Sequence, residues 1–168
     1  MVSPASAEHA VDVGQMYRRH GAVVFRRILR FYSRDEAEEV LQEVFLKVLT
    51  TKATFRGDSA ASTWLYQLAT RHCLNRLRDA NRRKELLAEH GEPAWGTGVS
   101  NAPQESRVFL EQLWDQLEPE LAEIGVYYYV DGLAHGEIAK LVGVSRRTVG
   151  NRLARLQQIA EEAAGGVQ

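Results

Sequence analysis

Two groups of side chains in this sequence have the chemistry to hold a polyanion. The first combines Phe55, Trp64 and Tyr66 with Arg56, Arg71, Asn75 and Arg76. Aromatic rings stack on splayed bases and guanidinium groups hold phosphates, which is what an unpaired nucleic-acid strand requires. The same residues also fit a plainer role, with Phe55 and Trp64 in a core and the arginines on a solvated face. The second group lies in GVSRRTVGNRL, Gly143 to Leu153. Ser145 is a good N-cap there, and Arg146, Arg147, Asn151, Arg152 and Arg155 fall in or near faces that reach DNA. Two arginines at a helix N-terminus oppose the helix dipole and cost stability until an anion such as phosphate approaches. A third set, Asp35, Glu39 and Glu43 with His72 or His90 as base, has the makings of a metal-dependent nuclease. Metals usually take ligands that converge from separate elements, so an acidic solvated helix face is the better reading of these three acids.

Composition narrows the classes. The chain has 168 residues, 45% of them apolar, enough for packed cores in one ordinary domain or two small ones. Cys73 is the single cysteine, so no intramolecular disulfide forms, and there is no Cys/His cluster at zinc spacing. No apolar run approaches a membrane span and the N-terminus lacks the pattern of a secretion signal, so a cytoplasmic location without membrane insertion is the default. The net charge of -1 hides a polarised surface. Arg71, Arg76, Arg78, Arg82, Arg83 and Lys84 cluster against Asp79 alone, while Asp35, Glu36, Glu38, Glu39 and Glu43 share a stretch with no basic residue. Such clustering suits phosphate neutralisation even in a neutral chain.

Helical spacing predicts the elements that carry these groups. Val13, Met16, Tyr17, Val24, Ile28 and Phe31 mark a first helix, and Ala37, Val40, Leu41, Val44 and Val48 a second that starts near Asp35. Ser62 or Thr63 can cap a third that starts at Trp64 and buries Leu65, Leu68, Ala69, Cys73 and Leu77. Glu85 to Pro103, with three glycines and two prolines, reads as a linker that contains Trp95. Helical spacing resumes at Leu110, Leu113, Trp114 and Leu117, then Pro119 opens a helix that buries Leu121, Ile124 and Tyr128 and ends at Gly132. Of Tyr127, Tyr128 and Tyr129, the spacing puts Tyr128 inside and one of the others at a domain contact. Short helices follow from about His135 and from Ser145. The fold class is all-α: two small helical domains, 1–84 and 104–168, joined by a flexible linker, 85–103.

The last two helices carry a helix-turn-helix signature at several levels. It needs a small residue where the helices cross, a left-handed glycine at the turn and an apolar lock. Ala139, Gly143 and Val149 meet these needs, supported by Ile138, Val142, Val144 and Leu153. A dimeric regulator that binds a palindrome alone would explain this half. It would leave the Trp64 loop and the acidic second helix without a role.

Three blocks, DEAEEVLQEVFLKVL, FRGDSAASTWLYQLATRHCLNRLRDANRR and LEPELAEIGVYYYVDGLAHGEIAKLVGVSRRTVGNRL, together resemble regions 2 and 4 of a sigma-70 family factor of the extracytoplasmic-function (ECF) group. The likeness covers about Met16 to Ile159 in the family's order. It implies a non-enzymatic factor without cofactors that directs promoter-specific transcription initiation. Asp35, Glu39, Val40, Gln42, Glu43 and Phe45 match the block that docks on the β′ clamp helices of core RNA polymerase, and the β flap is the second polymerase contact. Phe55, Arg56, Gly57, Ser59, Thr63 and Trp64 match the loop that captures a base flipped from the minus-10 non-template strand, with Arg71, Asn75 and Arg76 on the helix beyond. Ser145, Arg146, Arg147, Thr148, Asn151, Arg152 and Arg155 match the helix that binds the minus-35 duplex. The resemblance also implies control by an anti-sigma factor, which an exposed Tyr127 or Tyr129 would suit. The short ending EEAAGGVQ leaves no room for an appended regulatory domain and agrees with control by another polypeptide or by expression level.

Several positions depart from the family pattern. Ala134 stands where Ser or Thr commonly caps, Arg71 where Asn is common, Gly150 where Lys is common and Asn151 where Ser is common. The missing cap costs about 1 kcal/mol, and Gly150 about 1 kcal/mol relative to Ala. Asn151 gains an amide able to pair with adenine, and Gly150 has room to approach a DNA backbone closely. As a coil the linker spans roughly 24 Å on average and about 60 Å when fully extended. In free solution the two domains are therefore expected to sit closer together than two promoter elements do, and the isolated factor to bind promoter DNA poorly.

Overall fold

The computed structural model describes residues 12–50, 60–89 and 117–165, and every regular element among them is helical. The helices are α1 (Val13–Ile28), α2 (Arg34–Thr50), α3 (Ala61–Glu89), α4 (Pro119–Gly125), which continues into a π turn (Val126–Val130), α5 (His135–Val142) and α6 (Arg146–Gly165). Phe55, Arg56, Gly57, Ser59, His90, Trp95 and most of the stretch read as linker lie outside the described residues, as do Leu110, Leu113 and Trp114.

Local chemistry sets most of the starts. The Asp12 carboxylate accepts from the Gln15 N–H at 3.0 Å and caps α1. Ser33 precedes α2, and its N–H and hydroxyl both donate to the Glu36 carboxylate, at 3.1 and 2.6 Å, one half of a capping box. Helix α3 begins earlier than the sequence suggests, at Ala61, so Ser62 and Thr63 lie inside its first turn and do not cap it. It also runs on to Glu89, five residues into the stretch read as linker, because Glu85 to Glu89 are all strong helix formers.

Helices α1, α2 and α3 bury Val24, Ile28, Ala37, Val40, Val44, Leu65, Ala69 and Cys73 in one core. The C-terminal helices bury Ile124, Tyr127, Ile138, Ala139, Val149 and Leu153 in another. The two bodies pack on each other through α3 and α4. Leu117, Leu121, Ala122, Val126 and Leu156 from the C-terminal body join the N-terminal core. The short distance between domains expected for the free chain is what the structure has.

Gly132 and Gly143 both take left-handed backbone, at φ 68° and 72°. Gly143 closes α5 at φ 72°, the left-handed turn of a helix-turn-helix, and its N–H donates to the Ala139 carbonyl at 3.0 Å. Gly125 allows α4 to meet α6, since a Cβ there would stand 2.8 Å from the Leu156 Cδ1.

One packing expectation is corrected. Tyr127 is fully buried, whereas Tyr128 and Tyr129 are exposed. The tyrosine that covers the domain contact is thus the buried one. Its face is chosen by α3, whose Tyr66 ring lies 5.9 Å away and nearly parallel. The spacing of α4 taken alone carries no trace of that neighbour. Tyr17, counted with the apolar face of α1, is also exposed and sets its ring edge against Phe45.

Candidate nucleic-acid interface

The residues matched to minus-35 DNA form a largely open surface. The Ser145 hydroxyl accepts from the Thr148 N–H at 3.0 Å and caps α6. The Ser145 and Thr148 hydroxyls are bonded to each other at 2.8 Å. Arg146, Arg147, Asn151 and Arg155 are exposed, and the three arginines hold no ion pair among the described residues. Arg152 is tied to Glu120 at 2.9 Å, which anchors α6 on α4. At the start of α5, Ala134 offers no side-chain cap. The Glu137 carboxylate still accepts from the Ala134 N–H at 2.8 Å, so half of the capping box survives. A Cβ on Gly150 would make only an ordinary contact with His135, at 3.9 Å, so packing within the free chain does not demand glycine there.

The residues matched to polymerase docking divide by burial. Asp35, Glu39 and Gln42 are exposed along α2, while Val40 and Phe45 lie in the core. In the free chain the last two pack α2 against its neighbours. Glu43 is half-buried and receives Arg76 and His72 from α3, the histidine Nε2 at 2.7 Å. Arg76 also reaches Glu39 at 3.2 Å. Burial alone would raise the Glu43 carboxyl, but hydrogen bonds from Arg76 and His72 outweigh it and hold the group below the usual carboxylate range. Burial pushes the His72 imidazole down, and the Glu43 carboxylate opposes this only in part. Neutral His72 donates from Nε2, which leaves a bare Nδ1 acceptor that is buried without a partner among the described residues. Among the described residues no group of acids and histidines is arranged to hold a metal ion. The three acids read as a possible nuclease set do not converge: Glu39 and Glu43 face cations of α3, and Asp35 is exposed.

The residues matched to minus-10 DNA lie along α3. Thr63 and Trp64 occupy its first turn, half-buried, and Asn75 is exposed. Arg71 is bound by the C-terminal body: its Nε donates to Glu123 at 2.9 Å. Glu123 is only 5% exposed and also accepts from the Tyr127 hydroxyl at 2.8 Å.

One turn away along α3 a second carboxylate from the C-terminal body is held in the same way. Arg27, 4% exposed, donates from Nη1 to Asp131 at 2.5 Å and from Nε to the Thr70 hydroxyl at 3.0 Å. The Tyr66 hydroxyl donates to the other Asp131 oxygen at 2.7 Å. The Arg27 guanidinium lies 4.5 Å from the Tyr66 ring centroid and 5.0 Å from that of Phe31, so three kinds of partner compensate a charge taken out of water. Burial, followed by the Asp131 bond, pushes the Tyr66 hydroxyl up to about 12. Burial and the Glu123 carboxylate raise Tyr127 likewise. Arg27, Glu123 and Asp131 were not singled out by sequence. Their partners are 104 and 52 residues away, and the one local hint is the spacing by four of Glu123, Tyr127 and Asp131.

Comparison with known proteins agrees with this division into two parts. Residues 16–83 match the family model "Sigma-70 region 2" and residues 108–156 match "Sigma-70, region 4". The chain is 29% identical over 153 residues to the ECF RNA polymerase sigma factor SigM of Mycobacterium tuberculosis, covering 90% of this chain and 75% of that one. It is 30% identical over 149 residues to the RNA polymerase sigma-H factor of Pseudomonas aeruginosa, covering 81% and 77%. Among solved structures it is similar to the sigma factor RpoE from Bartonella quintana in complex with the anti-sigma factor NepR, at 16% identity and a TM-score of 0.49 over 94% of this chain and 99% of that one. Both halves of the sequence, in the order that places an aromatic and cationic α3 before a capped α6, lead to one family: the chain belongs to the ECF group of the sigma-70 family of RNA polymerase sigma factors.

Proposed function

We propose that this sigma factor divides promoter recognition between its two domains and relies on core RNA polymerase to separate them. Asp35, Glu39, Gln42 and Glu43 of α2 dock on the β′ clamp helices, while the C-terminal body engages the β flap. Thr63, Trp64, Arg71, Asn75 and Arg76 of α3, with Phe55, Arg56, Gly57 and Ser59 before it, hold the melted minus-10 strand. Ser145, Arg146, Arg147, Thr148, Asn151, Arg152 and Arg155 bind the minus-35 duplex. The observation that carries the reading is α6: a helix capped by Ser145, following a left-handed glycine turn, with Arg146 and Arg147 exposed at its positive end.

Energetics explain why both domains and the polymerase are needed. Opening DNA costs about 1.4 kcal/mol per stacked step, and one captured base returns on the order of 1 to 3 kcal/mol by stacking. A single small domain therefore holds a flipped base but does not open a bubble. Polymerase docking supplies the remainder by positioning both readers at once. On this reading the chain acts by binding and not by catalysis, works in the cytoplasm beside core polymerase, and is controlled by an anti-sigma factor. No helix among the described residues is long and apolar enough to cross a membrane.

A dimeric regulator acting alone would give no work to the acidic face of α2. Run-off transcription with core polymerase over fragmented genomic DNA tests the proposal and finds the promoter together. Discrete transcripts that require the chain are expected, and transcripts unchanged by its omission would reject the assignment.

A further inference from the structure

The C-terminal body presents a polar stripe to α1 and α3, made of Glu123, Tyr127 and Asp131 at successive spacings of four. In an α-helix four residues advance by about 400°, so such a stripe drifts around the axis. In the π turn each residue advances less, because the bonds span five residues. The turn at Val126–Val130, closed by the Asp131 N–H to the Val126 carbonyl at 3.1 Å, therefore offsets the drift and keeps both carboxylates on one face. Each carboxylate meets one arginine of the N-terminal body and one tyrosine: Glu123 holds Arg71 and Tyr127, Asp131 holds Arg27 and Tyr66. The backbone extends the contact, since Arg30 donates to the Val130 carbonyl at 2.8 Å and Arg78 to the Leu117 carbonyl at 2.9 Å.

We propose that this stripe is an internal latch in which Asp131 anchors the C-terminal body on buried Arg27 while Glu123 occupies, with its carboxylate, Arg71 of the region 2 face that promoter DNA needs. The inference rests on the assignment of Arg71 to minus-10 DNA. A carboxylate and a phosphate make the same kind of charge-assisted bond to a guanidinium, so Arg71 cannot serve Glu123 and the DNA backbone through the same N–H at once. The latch is suited to release. The Arg71 side chain is 55% exposed even when closed, and an ion pair with one such half adds little net stability. Closure keeps Arg71 engaged until polymerase draws the domains apart.

The full-length chain is compared with its Glu123→Gln, Asp131→Asn double variant, which keeps the side-chain shapes and removes both charges. Small-angle scattering should give wild type a radius of gyration near the roughly 15 Å of a compact chain of this length, and the variant a larger one with unchanged helical circular dichroism. The variant should bind a fluorescein-labelled single-stranded DNA of mixed sequence about tenfold more tightly, the worth of one charge-assisted bond. Adding Arg71→Ala to the open variant should cancel that gain. A variant as compact as wild type overturns the latch, as does one that expands without binding the strand better. Promoter-directed transcription with core polymerase, run on both proteins, tests the functional reading separately. Its absence from both would reject that reading, while the scattering still decides whether the stripe holds the chain closed.

Discussion

Arg71 on α3 and Arg146 on α6 are arginines assigned to the same kind of ligand, and the free chain treats them differently. Arg71 is held by a carboxylate from the other domain, and the neighbouring Arg27 is buried against a second one. Arg146 stands exposed, with Arg147, at the positive end of its helix. The difference follows from how each face is built. Helix α6 turns its apolar residues Val149, Leu153 and Leu156 inward and leaves its cations outside, whereas α3 has a partner on several sides and its cations meet α2 and α4. On the proposed assignment, Arg146 and Arg147 stand open before polymerase arrives, while Arg71 is already engaged by Glu123.

Removing Arg146 and Arg147 together should break the open side of this comparison most severely. Each contact to a base or phosphate is worth about 1 to 3 kcal/mol, so Arg146→Ala with Arg147→Ala should lower promoter-directed transcription by at least about tenfold. The unfolding midpoint should stay level or rise slightly, because both cations oppose the helix dipole. Transcription assays beside thermal melts separate the two effects. On the closed side, Tyr127→Phe removes the hydroxyl that bonds buried Glu123 and should cost about 1 to 2 kcal/mol by denaturant titration. A cost near zero would show that Arg71 alone satisfies that carboxylate. Ala134→Ser restores the absent cap of α5 and should add about 1 kcal/mol without altering promoter choice.

The smallest effect is one of pH. His72 has a folded pKa below its unfolded value, so the unfolded chain takes up a proton first and stability falls as pH drops below about 6.5. Glu43, also depressed in the folded chain, adds a second loss that begins below the ordinary carboxylate value and is complete once pH passes its folded pKa. Both signs agree, so unfolding free energy should decline steadily on acidification. Replacing His72 with Gln should remove the upper part of that decline and leave the lower part.

Features fixed by neighbouring residues were legible in the sequence. The Gly143 turn, the Ser145 cap and the apolar lock of Ile138, Val149 and Leu153 depend on contacts within one or two turns of helix, and all are found. Features fixed by distant partners were not. Arg27 sits on the first helix between Arg26 and Ile28, and its burial is made tolerable by Asp131, 104 residues away, the Thr70 hydroxyl and the rings of Tyr66 and Phe31. Tyr127 replaced Tyr128 as the buried tyrosine for the same reason. Val40 and Phe45, which the family motif marks beside exposed Asp35 and Glu39, lie in the core of the free chain, a difference that the motif itself does not carry.

With Arg71 engaged by Glu123 and Arg146 and Arg147 open, specific promoter recognition should depend on polymerase. The most direct test is a gel-shift titration of the full chain on its mapped promoter, with and without core RNA polymerase. Weak binding that does not distinguish promoter from scrambled DNA without polymerase, becoming tight and specific with it, is the predicted result. Tight, specific binding of the promoter by the chain alone would show that polymerase is not needed to open it.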